Sequence, residues 1–147
     1  MKLRALVVDD SRVMRHMVME SLRQTGLADF EFAEAEDGTD ALEKFNPKKT
    51  DIIFADWNMP NMSGIEFVRN LRRSNSNAHV PVIMVTTENT VGKIEEALDK
   101  AGANGYIIKP FTVEYLQRKL THVIECVAER QRKASGGFFS KLVGGST

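Results

Sequence analysis

Five polar side chains stand directly after apolar runs in this sequence. They are Asp9 and Asp10 after Leu6-Val7-Val8, Asp56 after Ile52 to Ala55, Thr86 after Val80 to Val85, and Lys109 after Tyr106-Ile107-Ile108. Each has a plain reading when taken alone: Asp10 or Ser11 can cap a helix, Asp56 can open a turn toward Pro60, and Lys109 can be a surface lysine. Taken together they describe one site. Three carboxylates in a single pocket repel one another and hold protons unless a cation joins them. Hard oxygen donors suit magnesium, which takes one or two carboxylates, waters and phosphate oxygens. A carboxylate beside such a cation, with a hydroxyl and an ammonium opposite, has the parts needed to accept a phosphoryl group as an aspartyl phosphate. No G-x-x-x-x-G-K-[ST] loop is present to hold ATP, so the expected donor is another phosphorylated molecule.

Other chemistries are excluded by composition. One cysteine, Cys126, permits neither a disulfide framework nor a CxxC redox or zinc site. His16, His79 and His122 fall mid-helix or in a loop and read as structural or exposed. The 147 residues balance 20 basic against 20 acidic side chains, so no net positive field exists to hold nucleic acid. The balance hides an asymmetry. Residues 1–127 carry 16 basic and 19 acidic groups, whereas residues 128–147 set Arg130, Arg132, Lys133 and Lys141 against Glu129. No apolar run approaches the ~20 residues of a membrane span, and a cytoplasmic protein with no membrane partner is expected.

The site needs strands that end at one rim. Runs at Leu3 to Val8, Phe30 to Ala33, Ile52 to Ala55, Val80 to Val85 and Tyr106 to Ile108 have strand length, and most are apolar throughout, as in a parallel sheet covered on both faces. Between them lie helical stripes: Val13, Met14, Met17, Val18 and Leu22; Ala41, Leu42 and Phe45; Ile65, Val68 and Leu71; Ile94, Ala97, Leu98 and Ala101; and Leu116, Leu120, Val123, Ile124 and Val127. The pattern is βα repeated five times. It predicts a three-layer, doubly wound α/β fold of flavodoxin-like type, with a parallel five-stranded sheet in the order 2-1-3-4-5. Ligands of such sheets bind beyond the carboxyl ends of the strands, where the polar residues above fall.

Val7-Val8-Asp9-Asp10-Ser11-Arg12, Asp56-Trp57-Asn58-Met59-Pro60 with Gly64, Val85-Thr86 and Tyr106-Ile107-Ile108-Lys109-Pro110-Phe111, in this order and spacing, resemble the receiver domain of bacterial two-component response regulators, over residues 3 to 126. Within that family the resemblance is to the chemotaxis regulators. It implies that Asp56 is the phosphoacceptor, served by a phosphohistidine of a sensor histidine kinase. It implies magnesium (Mg2+) on Asp10, Asp56 and the carbonyl of Asn58, with Asp9 acting through water. Lys109 would pair with the phosphoryl oxygens, its bond to Pro110 being cis. Thr86 would be the switch hydroxyl, Tyr106 the switch aromatic, and Asn58 and Glu88 the pair that tunes dephosphorylation. An amide with a carboxylate there leads to the expectation of short-lived phosphorylation, while Thr87, bulkier than the alanine or glycine often found beside the switch residue, would narrow access. The implied output surface is the fourth helix, fifth strand and fifth helix, with Tyr106, Ile108, Phe111 and Lys119. The implied partners are the kinase, a flagellar motor switch protein and a phosphatase.

Residues 1–127 are therefore expected to form the receiver and 128–147 the end of the last helix plus a flexible basic Gly/Ser tail. Ser135-Gly136-Gly137 is expected to break that helix, leaving Phe138-Phe139 either as a partner-binding segment or as incidental aromatics in a frayed terminus. About 20 residues beyond the fold leave no room for a DNA-binding helix-turn-helix, so a signalling protein rather than an enzyme is expected, with its output through protein contacts. Trp57 reads as a partly exposed loop aromatic and Cys126 as a small apolar filler. The rivals are a stand-alone receiver in a non-chemotaxis phosphorelay, a degenerate scaffolding receiver, a flavin-binding module, and a phosphoaspartate-type phosphatase. Retained Asp56, Asp10, Thr86 and Lys109 argue against scaffolding. The phosphatase needs an acid two residues after its nucleophile, where this chain has Asn58.

Overall fold

The structure, a computed structural model, describes residues 1–74 and 79–142, with side chains through Ala134. Its strands are β1 (Lys2–Val8), β2 (Asp29–Ala35), β3 (Ile52–Ala55), β4 (Val82–Thr86) and β5 (Gly105–Ile108). All pair in parallel, in the order β2-β1-β3-β4-β5. The helices are α1 (Arg12–Thr25), α2 (Gly38–Lys44), α3 (Gly64–Arg73), α4 (Val91–Glu95) and α5 (Val113–Leu142). The last turn of α4 widens into a π-helical segment over Glu96–Ala101. Fold class and strand order are as the sequence predicts.

The strands feed two cores because successive side chains point to opposite faces. Leu3, Ala5, Val7, Ile52, Phe54, Ile83, Val85 and Ile107 pack under α1 and α5. Leu6, Val8, Ile53, Ala55, Val82, Met84 and Tyr106 pack under α2, α3 and the π-helical segment. The edge strand β2 alternates, with Phe30 buried and Glu31 exposed, and its polar ends extend it beyond the apolar run at Phe30 to Ala33.

Three details depart from the sequence reading. Val13 and Met17 are exposed, as is Leu98 after α4, whereas Val18 and Leu22 are buried as expected and are joined by Met19 and Thr25. At about 100° per residue, Val13 lies half a turn out of phase with Leu22. Cys126 is exposed, because the buried stripe of α5 runs through Leu120, Ile124 and Val127. Third, α5 does not break at Ser135-Gly136-Gly137 but runs on to Leu142, since glycine weakens a helix without forbidding it. The side chains of Phe138 and Phe139, and the whole of Gly144 to Thr147, lie outside the described residues. No helix among the described residues is long and apolar enough to cross a membrane.

Candidate functional site

The carboxyl ends of β1, β3, β4 and β5 deliver the polar residues to one rim. Where β1 ends, Asp9 is buried and Asp10 exposed. Asp9 Oδ1 accepts the Ser11 amide at 2.9 Å, while Ser11 Oγ accepts Met14 N at 3.2 Å and so caps α1. The Arg15 guanidinium reaches back to the Asp9 carbonyl at 2.7 Å. The chain is thus tied down on both sides of the carboxylate pair. Where β3 ends, Asp56 Oδ1 accepts the Trp57 amide at 2.7 Å. The loop beyond it turns tightly enough that Gly64 N donates to Trp57 O at 2.9 Å. A Cβ on Gly64 would lie 1.9 Å from the Asp56 carbonyl oxygen, so any other residue here must displace the Asp56 backbone.

Lys109 arrives from β5 and lies between two of the carboxylates, with Nζ 3.2 Å from Asp9 Oδ2 and 3.6 Å from Asp56 Oδ2. Its amide donates to the Thr86 carbonyl at 2.8 Å, which locks the ends of β4 and β5 together. The Lys109–Pro110 bond is cis. Burial pushes the Asp56 carboxyl above its usual value; Lys109 opposes this, the Asp9 charge adds to it, and hydrogen bonds from the Thr86 hydroxyl and Trp57 amide pull it back.

Oxygens of Asp9, Asp10 and Asp56 lie within 4.8 Å of one another. Three carboxylates face one ammonium, so the cluster carries excess negative charge. An all-oxygen donor set of this size fits a hard divalent cation. On both counts the residues suit a metal ion.

A second layer of contacts closes over this floor. Asn58 Nδ2 donates to Glu88 Oε2 at 2.7 Å, and Glu88 Oε1 lies 3.7 Å from Lys93 Nζ. The Lys93 ammonium also sits 4.5 Å from the centre of the Trp57 ring. Trp57, expected as a partly exposed loop aromatic, is 8% exposed and belongs to the core under α3. Thr86 is fully buried, and its hydroxyl oxygen accepts the Glu88 amide at 3.3 Å. Tyr106 lies inside, its hydroxyl donating to the Glu88 carbonyl at 2.6 Å. Burial, with the charges of Glu88 and Asp56, raises its phenol to about 12, so it stays a donor throughout the physiological range.

The structure therefore brings Asp9, Asp10, Asp56, Thr86 and Lys109 together, with Asn58, Glu88 and Tyr106 beside them. Ile108 and Lys119 lie apart from this cluster, along a groove shared with Ile94, Leu98 and Tyr115. Phe111 lines a neighbouring depression with Pro110 and Arg118. Sequence reasoning missed Lys93. A lysine in the first turn of a helix reads as a solvated side chain, and only the fold shows what lies beneath it.

Comparison with known proteins agrees with this geometry. Residues 5–121 match the model of the response regulator receiver domain. The chain is 41% identical over 125 residues to the chemotaxis protein CheY of Pseudomonas aeruginosa, covering 85% of this chain and 98% of that one. It is 42% identical over 123 residues to CheY1 of Helicobacter pylori, covering 83% and 97%. Among solved structures, Vibrio cholerae chemotaxis protein CheY4 superposes with a TM-score of 0.73 at 37% identity, over 84% of this chain and 99% of that one. A receiver domain of a Pseudomonas aeruginosa sensor histidine kinase, solved with magnesium coordinated in its active site cleft, superposes with a TM-score of 0.71 at 28% identity, over 85% and 99%. With its carboxylate cluster, its buried lysine and threonine and its 2-1-3-4-5 sheet, the chain belongs to the response regulator receiver domain family and is a signalling protein of phosphorelays.

Proposed function

We propose that Asp56 accepts a phosphoryl group from the phosphohistidine of a sensor histidine kinase, and that the modified protein signals in chemotaxis by binding a flagellar motor switch protein. The observation that carries this reading is Lys109 seated between Asp9 and Asp56 at the carboxyl ends of four parallel strands. Asp10, Asp56 and the Asn58 carbonyl would hold magnesium directly, with Asp9 contributing through water. When bound, the ion neutralises charge on the phosphoryl oxygens. An Asp56 carboxylate oxygen attacks phosphorus, the P–O bond forms, the P–N bond breaks, and the imidazole leaves with the electron pair. Lys109 shifts its contact from carboxylate to phosphoryl oxygen, which stabilises charge as it develops. The Thr86 hydroxyl turns to donate to another phosphoryl oxygen, and its movement is passed to Glu88 and Tyr106, which already touch one another.

This is a shift between arrangements rather than a new fold. The output face is the α4, β5 and α5 surface with Tyr106, Ile108, Phe111 and Lys119. The receiver comprises residues 1–127, and residues 128–147 extend it. Asn58 and Glu88 set how fast water removes the phosphoryl group, and the phosphorylated form is short-lived. The names of the curated relatives support the chemotaxis assignment.

Incubation with magnesium and a small phosphodonor, read by mass spectrometry and by Trp57 fluorescence, tests the core of this reading. One phosphoryl group on the wild type and none on Asp56→Asn is the expected result. A wild type that stays unmodified, or a mutant modified as readily, would overturn it. A phosphoryl half-life of many hours in the isolated protein would overturn the short-lived form.

A further inference from the structure

Glu88 is held at four points. Its amide donates to Thr86 Oγ1 and its carbonyl accepts from Tyr106. One carboxylate oxygen accepts from Asn58 and the other faces Lys93. Three of these partners lie on or directly beyond β3, β4 and β5. Lys93 alone comes from a helix that follows the site, and it makes a second contact that the others do not, over the face of Trp57. Because Trp57 directly follows Asp56 and Asn58 follows Trp57, the ring Trp57–Lys93–Glu88–Asn58 closes on both sides of the segment that leaves Asp56. A cation over an indole face and beside a carboxylate satisfies both at once: the ring quadrupole attracts it, and Glu88 supplies the counter-charge. The half-exposed ammonium keeps both contacts in water, so each is weak and can open.

The geometry points to Lys93 as a positioning residue that latches Glu88 and Asn58 across the mouth of the Asp56 pocket and thereby sets the lifetime of the phosphoryl group. The inference rests on Asp56 being the phosphoacceptor. With the latch closed, the Asn58 amide is engaged by Glu88 and is not free to orient a water, and the Lys93 stem covers Trp57. With it open, both side chains of the pair are released and the pocket admits water and donor alike. Lys93 touches none of the reacting atoms; it acts through Glu88 and Trp57.

Four variants, followed by loss of phosphate after excess donor is removed, test this. Lys93→Met keeps the stem and removes the charge, and should shorten the phosphoryl lifetime by about two- to fivefold, the weight of one exposed ion pair with a cation–π contact. Lys93→Arg keeps both contacts and should restore the wild-type lifetime. Glu88→Ala removes the latch's other half, and adding Lys93→Met to it should change the lifetime no further. Thermal stability should stay at the wild-type level in Lys93→Arg and fall only slightly in Lys93→Met, which separates a latch from a lysine on which the fold depends. Wild-type lifetimes in Lys93→Met, or equal effects of Met and Arg, would overturn the latch while leaving Asp56 as acceptor. Absence of phosphorylation in the wild type would remove the acceptor reading and the latch with it.

Discussion

α3 and α4 follow the two loops that frame the site and pack side by side on one sheet face, yet they are anchored very differently. α3 opens with a reciprocal cap in which Ser63 and Glu66 satisfy each other's backbone amides, and it buries Gly64, Ile65, Phe67, Val68 and Leu71. The loop before it is clamped as well, by Gly64 N on Trp57 O, Gly38 N on Met62 O and Asn61 on Asp37. α4 starts on a single Thr90 cap and buries none of its five residues, and the π-helical segment that continues it buries only Ala97 and Ala101. Asp56 thus sits against the well-packed helix, whereas Thr86 and Glu88 lead into the lightly packed one. A receiver needs this division. The acceptor must hold its geometry for phosphoryl transfer, and the responding segment must rearrange for contacts as small as one hydroxyl on one phosphoryl oxygen. Segments that move are drawn from the low-stability end of a fold.

The comparison breaks if the two helices prove equally costly to damage. Phe67→Ala empties a fully buried aromatic position in α3 and should cost about 3–5 kcal/mol. Ile94→Ala in α4 removes a half-buried side chain and should cost about 1 kcal/mol. Denaturant unfolding of the two variants measures both, and similar values would refute the contrast. The glycines carry the same contrast into the backbone. Gly64→Ala must push the Asp56 carbonyl aside, at about 1–3 kcal/mol, and should slow phosphorylation of Asp56 as well. Gly92 in α4 has nothing within 4 Å of an added Cβ. Gly92→Ala should therefore stabilise the protein by about 0.5–1 kcal/mol. On the proposed switch it should also slow the fluorescence response of Trp57 to phosphodonor, because it stiffens the helix next to the responding segment.

The fold was legible because its signals are local and repeated. Apolar runs at Leu3 to Val8 and Ile52 to Ala55 mark central strands, and Asp9, Asp56, Thr86 and Lys109 are found at the rim because a doubly wound sheet puts strand ends there. What the sequence hid depends on phase and distance. Val13 and Met17 match a helical stripe by type, but the buried face of α1 follows Leu22, and Thr25 joins it by donating its hydroxyl to the Leu22 carbonyl at 2.6 Å. Trp57 is buried in the core under α3, and Lys93, 36 positions away, lies over its ring. Neither residue type nor spacing encodes that meeting. The cap chemistry of Ser11 and Ser63 was within reach of the sequence, whereas the widening of α4 at Glu96 carries no signal.

The smallest expected effect concerns acid and again divides the two helices. The Asp37 carboxyl is held below its ordinary value, first by the Asp40 amide and then by the Asn61 side-chain amide, each at 2.8 Å. A carboxyl whose value is depressed on folding stabilises the protein fully above the unfolded value of about 3.9. That stabilisation is lost as pH falls from there through the folded value. Because Asn61 stands in the loop between Asp56 and α3, the loss falls on the well-anchored side. The start of α4 is capped by the hydroxyl of Thr90, which does not titrate, so acid leaves that cap in place. Stability measured from neutral pH into the acid range should show a gap between wild type and Asp37→Asn that is constant near neutrality and narrows in acid. Asp37→Asn keeps an oxygen for the Asp40 amide, so a gap that persists undiminished into acid would mean that the anchoring of the loop rests on shape rather than on charge.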